Sequence, residues 1–145
     1  MLNVKNFFSE EQKKQIINAI KDAEKETSGE IRVHLEKTCK GNPLDRAVRV
    51  FQKIGMHKTQ LRNGTLIYLA VKDRKFAIYG DKGINSSVPE DFWEDVKEEM
   101  GARFIKGDFS VGITSGIARI GEKLKEFFPY QEDDINELPD DISTG

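Results

Sequence analysis

The chain has 145 residues, of which 37% are hydrophobic and 33% are charged, with a formal net charge of −2. A chain of this length can bury roughly 70% of its unfolded surface, so it can form a hydrophobic core without disulfides. No apolar run reaches the roughly 18 residues of a membrane span, the amino terminus has no apolar signal region, and a single cysteine excludes an internal disulfide. We therefore expect a cytoplasmic protein with no direct membrane insertion.

The first half of the chain predicts a helix, a strand, a second helix and a buried strand. Ser9, with a glutamine three residues later, is typical of a helix start with a capping box, and Pro43 after Asn42 marks the start of the next helix. Between them, residues 30–37 (EIRVHLEK) alternate between apolar and polar, which predicts a strand with one buried face. Residues 65–71 (TLIYLAV) form an apolar run, which predicts a strand buried on both faces.

The second half predicts a hairpin and two more helices. After a tight turn at 72–74, residues 75–79 (KFAIY) predict an antiparallel partner for the buried strand. One helix is predicted to begin near Pro89 and another to run from about Ser110 to Phe127. The order α-β-α-β-β-α-α is typical of an α/β/α sandwich. We expect a small mixed sheet, with a parallel β-α-β unit plus an antiparallel hairpin strand, flanked by about four helices.

The composition divides the chain into one domain, residues 1–130, and an acidic segment, residues 131–145. All 23 basic residues lie in the domain, whereas the segment holds six of the 25 acidic residues. This favours a solvated, flexible tail. The alternative is a segment that docks on a neighbour or on the basic body, through Ile135, Leu138 and Ile142. The mildly basic body has no clustered basic stripe, so we expect no nucleic-acid partner.

The predicted topology brings several polar residues to one edge of the sheet. The two parallel strands begin at this edge, at Glu30 and just after Asn63, and the hairpin strand returns to it at Asp81. Arg62 lies beside them in the chain. Carboxylate and amide oxygens are the ligands that Ca²⁺ and Mg²⁺ prefer, so the pattern is compatible with a divalent-cation site. The alternative is that Asp81, between two glycines, is simply a turn residue.

Motifs for other chemistries are missing from the sequence. There is no dinucleotide-binding fingerprint, no phosphate-binding loop and no His-Glu-x-x-His. Cys39 and Arg46 are separated by one residue more than a cysteine-phosphatase loop allows. His34 and His57 have no cysteine or second histidine at ligand spacing, so each is expected to be a surface or packing residue. No side chain is recognisable from the sequence as a catalytic nucleophile or as a general base with a shifted pKa.

The stretch RNGTLIYLAVKDRKFAIYGDKGI (62–84), with SGEIRV before it and KGDFSVGITSGI and FFP after it, resembles the TPM domain family. The likeness extends from about residue 7 to residue 129. That family includes thylakoid-lumen proteins linked to photosystem II repair and many bacterial members; some members are reported to be acid phosphatases, and others act in assembly or repair of membrane complexes. The resemblance implies an α/β/α sandwich with divalent ions bound by loop carboxylates at a sheet edge. The family's acidic and polar positions correspond here to Glu30, Asn63, Asp81 and Asp108, with Arg62 beside them as a candidate anion contact.

Three hypotheses about function follow from these expectations. The first is a binding or assembly module whose loops are stabilised by a divalent cation, Ca²⁺ or Mg²⁺ ahead of Zn²⁺, and which presents a surface to a protein partner. The alternative is a metal-assisted phosphatase for phosphomonoesters. In it, an ion held by Asp81, Asp108 and Glu30 would activate a water, and Arg62 would stabilise the developing charge. The missing nucleophile puts catalysis second. A third hypothesis is a protein-interaction domain that uses the acidic segment as its contact element.

Overall fold

The structure, a computed structural model, describes residues 3–130 and 142–145 and is built around a four-stranded mixed sheet. The strands are Glu30–Glu36 (β1), Gly64–Ala70 (β2), Lys75–Gly80 (β3) and Ile142–Thr144 (β4). They lie in the order β3-β2-β1-β4. β1 runs parallel to β2 and to β4, whereas β3 is antiparallel to β2. The predicted parallel unit and hairpin are both present.

Within the described ranges, five α-helices accompany the sheet. They are Glu10–Glu24 (α1), Pro43–Lys53 (α2), Lys82–Asn85 (α3), Phe92–Ile105 (α4) and Phe109–Phe127 (α5). α1 begins as predicted, because the Ser9 hydroxyl accepts from the Gln12 N–H at 3.1 Å and the Gln12 side chain accepts from the Ser9 N–H at 3.0 Å. Of the helices in residues 3–130 and 142–145, none combines the length and the apolar character needed to cross a membrane.

The two faces of the sheet bury separate apolar cores. On one face, α1, α4 and α5 pack together over β1 and β2 side chains such as Ile31 and Ile67. On the other face, α2 packs on β2 and β3, with Phe51 in the same cluster as Leu66 and Tyr68. Helices therefore cover both sides of a mixed sheet, and the predicted α/β/α sandwich is confirmed.

β1 departs from the predicted pattern of one buried and one exposed face. His34 and Glu36, on the face predicted to be polar and open, are both buried; Arg32 is partly exposed. The physical reason is that side chains from other elements occupy this face: Arg46 of α2 and Tyr68 of β2 bond to Glu36, and Ser143 of β4 contacts His34. The polar side chains on this face are therefore buried and need partners within the protein.

Residues 142–144, at the end of the acidic segment, form an edge strand of the sheet. Residues 142–144 pair with residues 33–35 of β1, and the Gly145 N–H donates to the Leu35 carbonyl at 3.0 Å. Ile142, one of the three predicted docking residues, is partly buried against the apolar core that contains Ile31 and Ile67. Ile135 and Leu138 lie outside the described residues, as does the rest of the acidic segment from 131 to 141.

Candidate functional site

Three of the predicted site residues meet at the amino-terminal edge of the sheet, which we define as the edge where β1 and β2 begin and β3 ends. The register pairs Glu30 with Gly64. Main-chain hydrogen bonds connect the Glu30 N–H to the Asn63 carbonyl at 3.3 Å and the Asp81 N–H to the Gly64 carbonyl at 2.9 Å. Glu30, Asn63 and Asp81 are all at most 3% exposed. The predicted convergence of these three positions is confirmed.

Asp81 is bound to Arg62 in a two-pronged ion pair. Arg62 Nε donates to Asp81 Oδ2 at 2.6 Å, and Nη2 donates to Oδ1 at 2.9 Å. The Lys82 N–H also donates to Oδ1 at 2.8 Å, so Asp81 is the N-cap of the short helix α3. The pairing raises the pKa of the Arg62 guanidinium above its ordinary value. Arg62 thus neutralises a carboxylate whose burial would otherwise be costly.

The loop that presents Arg62 has an unfavourable backbone conformation. Arg62 has a φ of 50°, in the left-handed region that non-glycine residues seldom adopt. Its carbonyl accepts from the Gly83 N–H at 2.9 Å. A Cβ atom added at Gly83 would lie 2.6 Å from that carbonyl oxygen and closer still to that of Leu61. Gly83 is therefore required because the loop passes directly over α3, a close approach that keeps Arg62 beside Asp81.

Asp108 is not brought to this edge. The helix α5 has 19 residues and so spans about 28 Å. Its last turns lie at the amino-terminal edge, where the Thr27 hydroxyl donates to the Leu124 carbonyl at 2.9 Å. Its first residue, Phe109, stacks on Phe104, which contacts the opposite end of the sheet at the start of β3. Asp108 precedes this first residue, is exposed, and lies about one helix length from the other three positions.

The amino-terminal edge has a donor set of two carboxylates and one amide. Among residues 3–130 and 142–145, no group of three or more His, Cys, Asp and Glu side chains is placed to hold a metal ion. A cation at Glu30, Asn63 and Asp81 would complete its shell with main-chain carbonyls and water, as oxygen-preferring cations commonly do. It would also have to displace Arg62 from Asp81.

A buried polar network at the carboxyl-terminal end of β1 was missed by sequence reasoning. Glu36 accepts from Arg46 Nε at 2.8 Å and Nη2 at 2.6 Å, and from the Tyr68 hydroxyl at 2.7 Å. His34 Nε2 lies 3.3 Å from Glu36 Oε2, and His34 Nδ1 lies 2.8 Å from the Ser143 hydroxyl. The network therefore joins α2, β1, β2 and β4.

The contacts in this network set the charge of each member. The pKa of Glu36 is lowered to about 2, chiefly by the hydrogen bonds from Arg46 and then by those with Tyr68 and His34, against the opposing effect of burial. Burial lowers the pKa of His34 below 6.5, outweighing its contact with Glu36. Burial, with the bond to Glu36, raises the pKa of Tyr68. At neutral pH the network is thus one ion pair, Glu36 with Arg46, bordered by a neutral histidine and a neutral tyrosine.

A signal for this network exists in the sequence. In an α/β/α sandwich a helix must cover the second face of β1, so His34 and Glu36 could not both be solvated. Arg46 lies within the first turn or so of α2, which directly follows β1 in the chain. A buried carboxylate on the strand and an arginine on the covering helix are the natural pair.

The comparisons with known proteins agree with this architecture. The family model described as the TPM domain matches residues 2–123. The chain is similar to the BA42 protein from the psychrophilic bacterium Bizionia argentinensis, whose NMR structure has a TM-score of 0.91 at 49% identity and covers 100% of both chains. None of the curated proteins matches the chain.

Two more distant structures share the fold. The N-terminal domain of the cg2496 protein from Corynebacterium glutamicum has a TM-score of 0.66 at 16% identity, over 82% of this chain and 75% of that one. The N-terminal domain of a protein from P. gingivalis has a TM-score of 0.66 at 18% identity, over 86% of this chain and 83% of that one. Since the family model spans most of the sequence, the chain belongs to the TPM domain family.

Proposed function

We propose that the chain is a TPM-type binding module that takes up a divalent cation, Ca²⁺ or Mg²⁺ ahead of Zn²⁺, at its amino-terminal edge. The observation that supports this most strongly is the Asp81 carboxylate, which is 1% exposed and is balanced by a single, partly exposed arginine. Glu30 and Asn63 add a carboxylate and an amide group at neighbouring positions. Oxygen donors without thiolate or imidazole suit a hard cation better than Zn²⁺.

In this proposal, the divalent cation replaces the Arg62 guanidinium as the positively charged partner of Asp81. The Arg62 side chain is 35% exposed, so it can turn outward into water and release both oxygens of Asp81. The incoming ion would then connect the loop before β2, the start of β1 and the start of α3. The expected consequence is an ordered edge that a protein partner can recognise, which is the role of a binding or assembly module.

The test is a titration of the metal-stripped protein with Ca²⁺, Mg²⁺ and Zn²⁺, followed by amide chemical shifts. We expect saturable shifts confined to residues 29–31, 62–64 and 80–83. Shifts that saturate elsewhere, or none at millimolar ion, would contradict the proposed site. Zn²⁺ binding more tightly than Ca²⁺ and Mg²⁺ would contradict the assigned ion preference.

Three variants make the test specific. Arg62→Ala should bind the ion at least about tenfold more tightly than the wild type, since the two charge-assisted hydrogen bonds from Arg62 to Asp81 no longer have to be broken. Asp81→Asn should lose the saturable response. Asp108→Asn is the matched control, because it removes a carboxylate at the far end of α5 and should bind as the wild type does. Loss of binding in Asp108→Asn alone would overturn the ligand set.

The phosphatase alternative needs one more condition than ion binding. It requires Arg62 to contact the phosphate, whereas both Nε and Nη2 of Arg62 donate to Asp81 in this structure. The ion pair would have to break and the freed arginine would then have to turn back toward the substrate. We therefore place ion binding first. Turnover of p-nitrophenyl phosphate that is lost in Asp81→Ala would favour the alternative, and turnover that survives would remove Asp81 from it.

A further inference from the structure

A cleft of about 430 Å³ opens at the carboxyl-terminal end of β1, at the edge of the sheet opposite the proposed cation site. We call it the basic cleft. Its walls come from the loop between β1 and α2, from α2 itself and from Gly145. Four lining residues are basic and one, Glu36, is acidic; the basic ones are Lys37, Lys40, Arg46 and Arg49. The volume lies within the range of about 300–1,000 Å³ that small-molecule sites occupy.

The loop wall of the basic cleft is held in place from outside. Asp73 Oδ2 accepts from the Cys39 N–H at 2.8 Å. The Lys75 ammonium donates to the carbonyls of Cys39 at 3.1 Å and Gly41 at 3.2 Å. Both anchors belong to the turn and hairpin strand that follow β2. Because the wall is already ordered, a ligand would lose little binding free energy to immobilising it.

The helix wall is fixed as well, and its charge is independent of pH. Glu36 holds Arg46 by two hydrogen bonds, while 36% of the arginine side chain stays exposed. The pKa of Glu36 is about 2, so this pair stays intact at any physiological pH. Within the described residues, Lys37, Lys40 and Arg49 form no ion pair with another side chain. In the part of the chain that the structure describes, three cations without an ion pair therefore line one cavity, and the resulting positive potential favours an anion.

From these features we infer that the basic cleft binds a small, multiply charged oxyanion, with a phosphate group as the best match. Lys37, Lys40 and Arg49, which form no ion pair within the described residues, supply the charge. The fixed guanidinium of Arg46 has three further N–H groups to donate, and the Thr38 hydroxyl in the lining adds a neutral donor. The position also fits, since ligands of open α/β sheets bind outside the carboxyl ends of the parallel strands. This inference does not depend on the cation site at the opposite edge.

The phosphate group could belong to the free anion or to a small ester, and two probes separate these sources. Inorganic phosphate and phenyl phosphate are titrated into the full chain at constant ionic strength, and amide chemical shifts are recorded. We expect saturable shifts at residues 37–41 and 46–49 with either probe. Tighter binding of phenyl phosphate would assign an ester, and tighter binding of inorganic phosphate would assign the free anion. Absence of saturable shifts with both probes at millimolar concentration would overturn the inference.

A pair of charge-matched double variants tests whether the site is local. Lys40→Gln with Arg49→Gln removes two lining charges and should weaken binding by at least about tenfold, because hydrogen bonds to charged groups are lost. Lys53→Gln with Lys58→Gln removes two exposed charges, one at the last residue of α2 and one shortly after it, and should leave the affinity nearly unchanged. Equal weakening in both double variants would mean a general charge effect without a site, and would overturn the inference.

Discussion

Replacing Glu36 by glutamine should lower the free energy of unfolding by about 3 kcal/mol at neutral pH. The Arg46 ion pair and the Tyr68 hydrogen bond lower the pKa of Glu36 from 4.5 to about 2. Because one pKa unit corresponds to about 1.4 kcal/mol, the ionised carboxylate contributes about 3 kcal/mol to the native state. Its side chain is only 9% exposed, so solvent screening reduces this value little. In a domain of this size the loss corresponds to a fall in Tm of about 10 °C.

The sign of the pH dependence follows from the direction of the shift. The pKa of Glu36 is lower in the folded than in the unfolded chain, so its contribution is complete above pH 4.5 and is lost as the pH falls through about 2. Glutamine has no charge to lose. The unfolding free energies of the wild type and Glu36→Gln should therefore differ at neutral pH and converge in acid. Denaturant unfolding at a series of pH values measures both curves.

A matched control separates this ion pair from a surface one. Glu26 pairs with Lys125 at 3.4 Å, and both side chains are largely exposed. Glu26→Gln should therefore change the unfolding free energy by less than about 1 kcal/mol. A Glu36→Gln variant that loses no more than this control, or that loses the same amount at neutral and acid pH, would refute the ion-pair reasoning.

Other contacts can be tested in the same unfolding experiments. Burial keeps the pKa of His34 below 6.5, so just below that pH the unfolded chain gains a proton and the folded chain does not. As the pH falls through this range, the unfolding free energy of His34→Gln should therefore decrease less than that of the wild type. An equal decrease in both proteins would contradict this. Gly83→Ala should cost at least about 2 kcal/mol through its clash with the Leu61 carbonyl, whereas Gly101→Ala has room and should stabilise α4 by about 0.5–1 kcal/mol. Similar effects at the two glycines would refute the close approach. Ile142→Ser should speed amide exchange in β1 more than in β3, and unchanged exchange would argue against the packing of β4.

The parts of the fold that the sequence predicts are those with local signals. A helix start needs only neighbouring residues, and the capping groups Ser9 and Asn42 are bonded as their spacing indicates. The apolar run of β2 predicts burial on both faces, which every residue of that strand shows. A tight turn then fixes β3 as its antiparallel neighbour. Each of these features depends on contacts within a short stretch of chain.

The features that were missed depend on distant parts of the chain. β4 is three residues long and follows an acidic stretch, so it has no periodic pattern to identify it. The spacing around Asp108 predicts a helix start but not which edge of the sheet that start faces. At the amino-terminal edge, the sequence analysis assigned Asp81 to a cation and Arg62 to an anion. In the structure the two side chains form an ion pair with each other, as opposite charges at the same edge of a sheet are expected to do.

The position of β4 bears on how the protein is synthesised. His34 and Ser143 are in contact although they are 109 positions apart in the chain. On the ribosome, β1, α2, β2 and β3 can associate soon after they emerge, but the outer edge of β1 stays open until residue 144 has left the exit tunnel. An open strand edge is a template for pairing with other chains. The time taken to translate the two long helices α4 and α5 is therefore the interval during which a nascent chain is most exposed to aggregation.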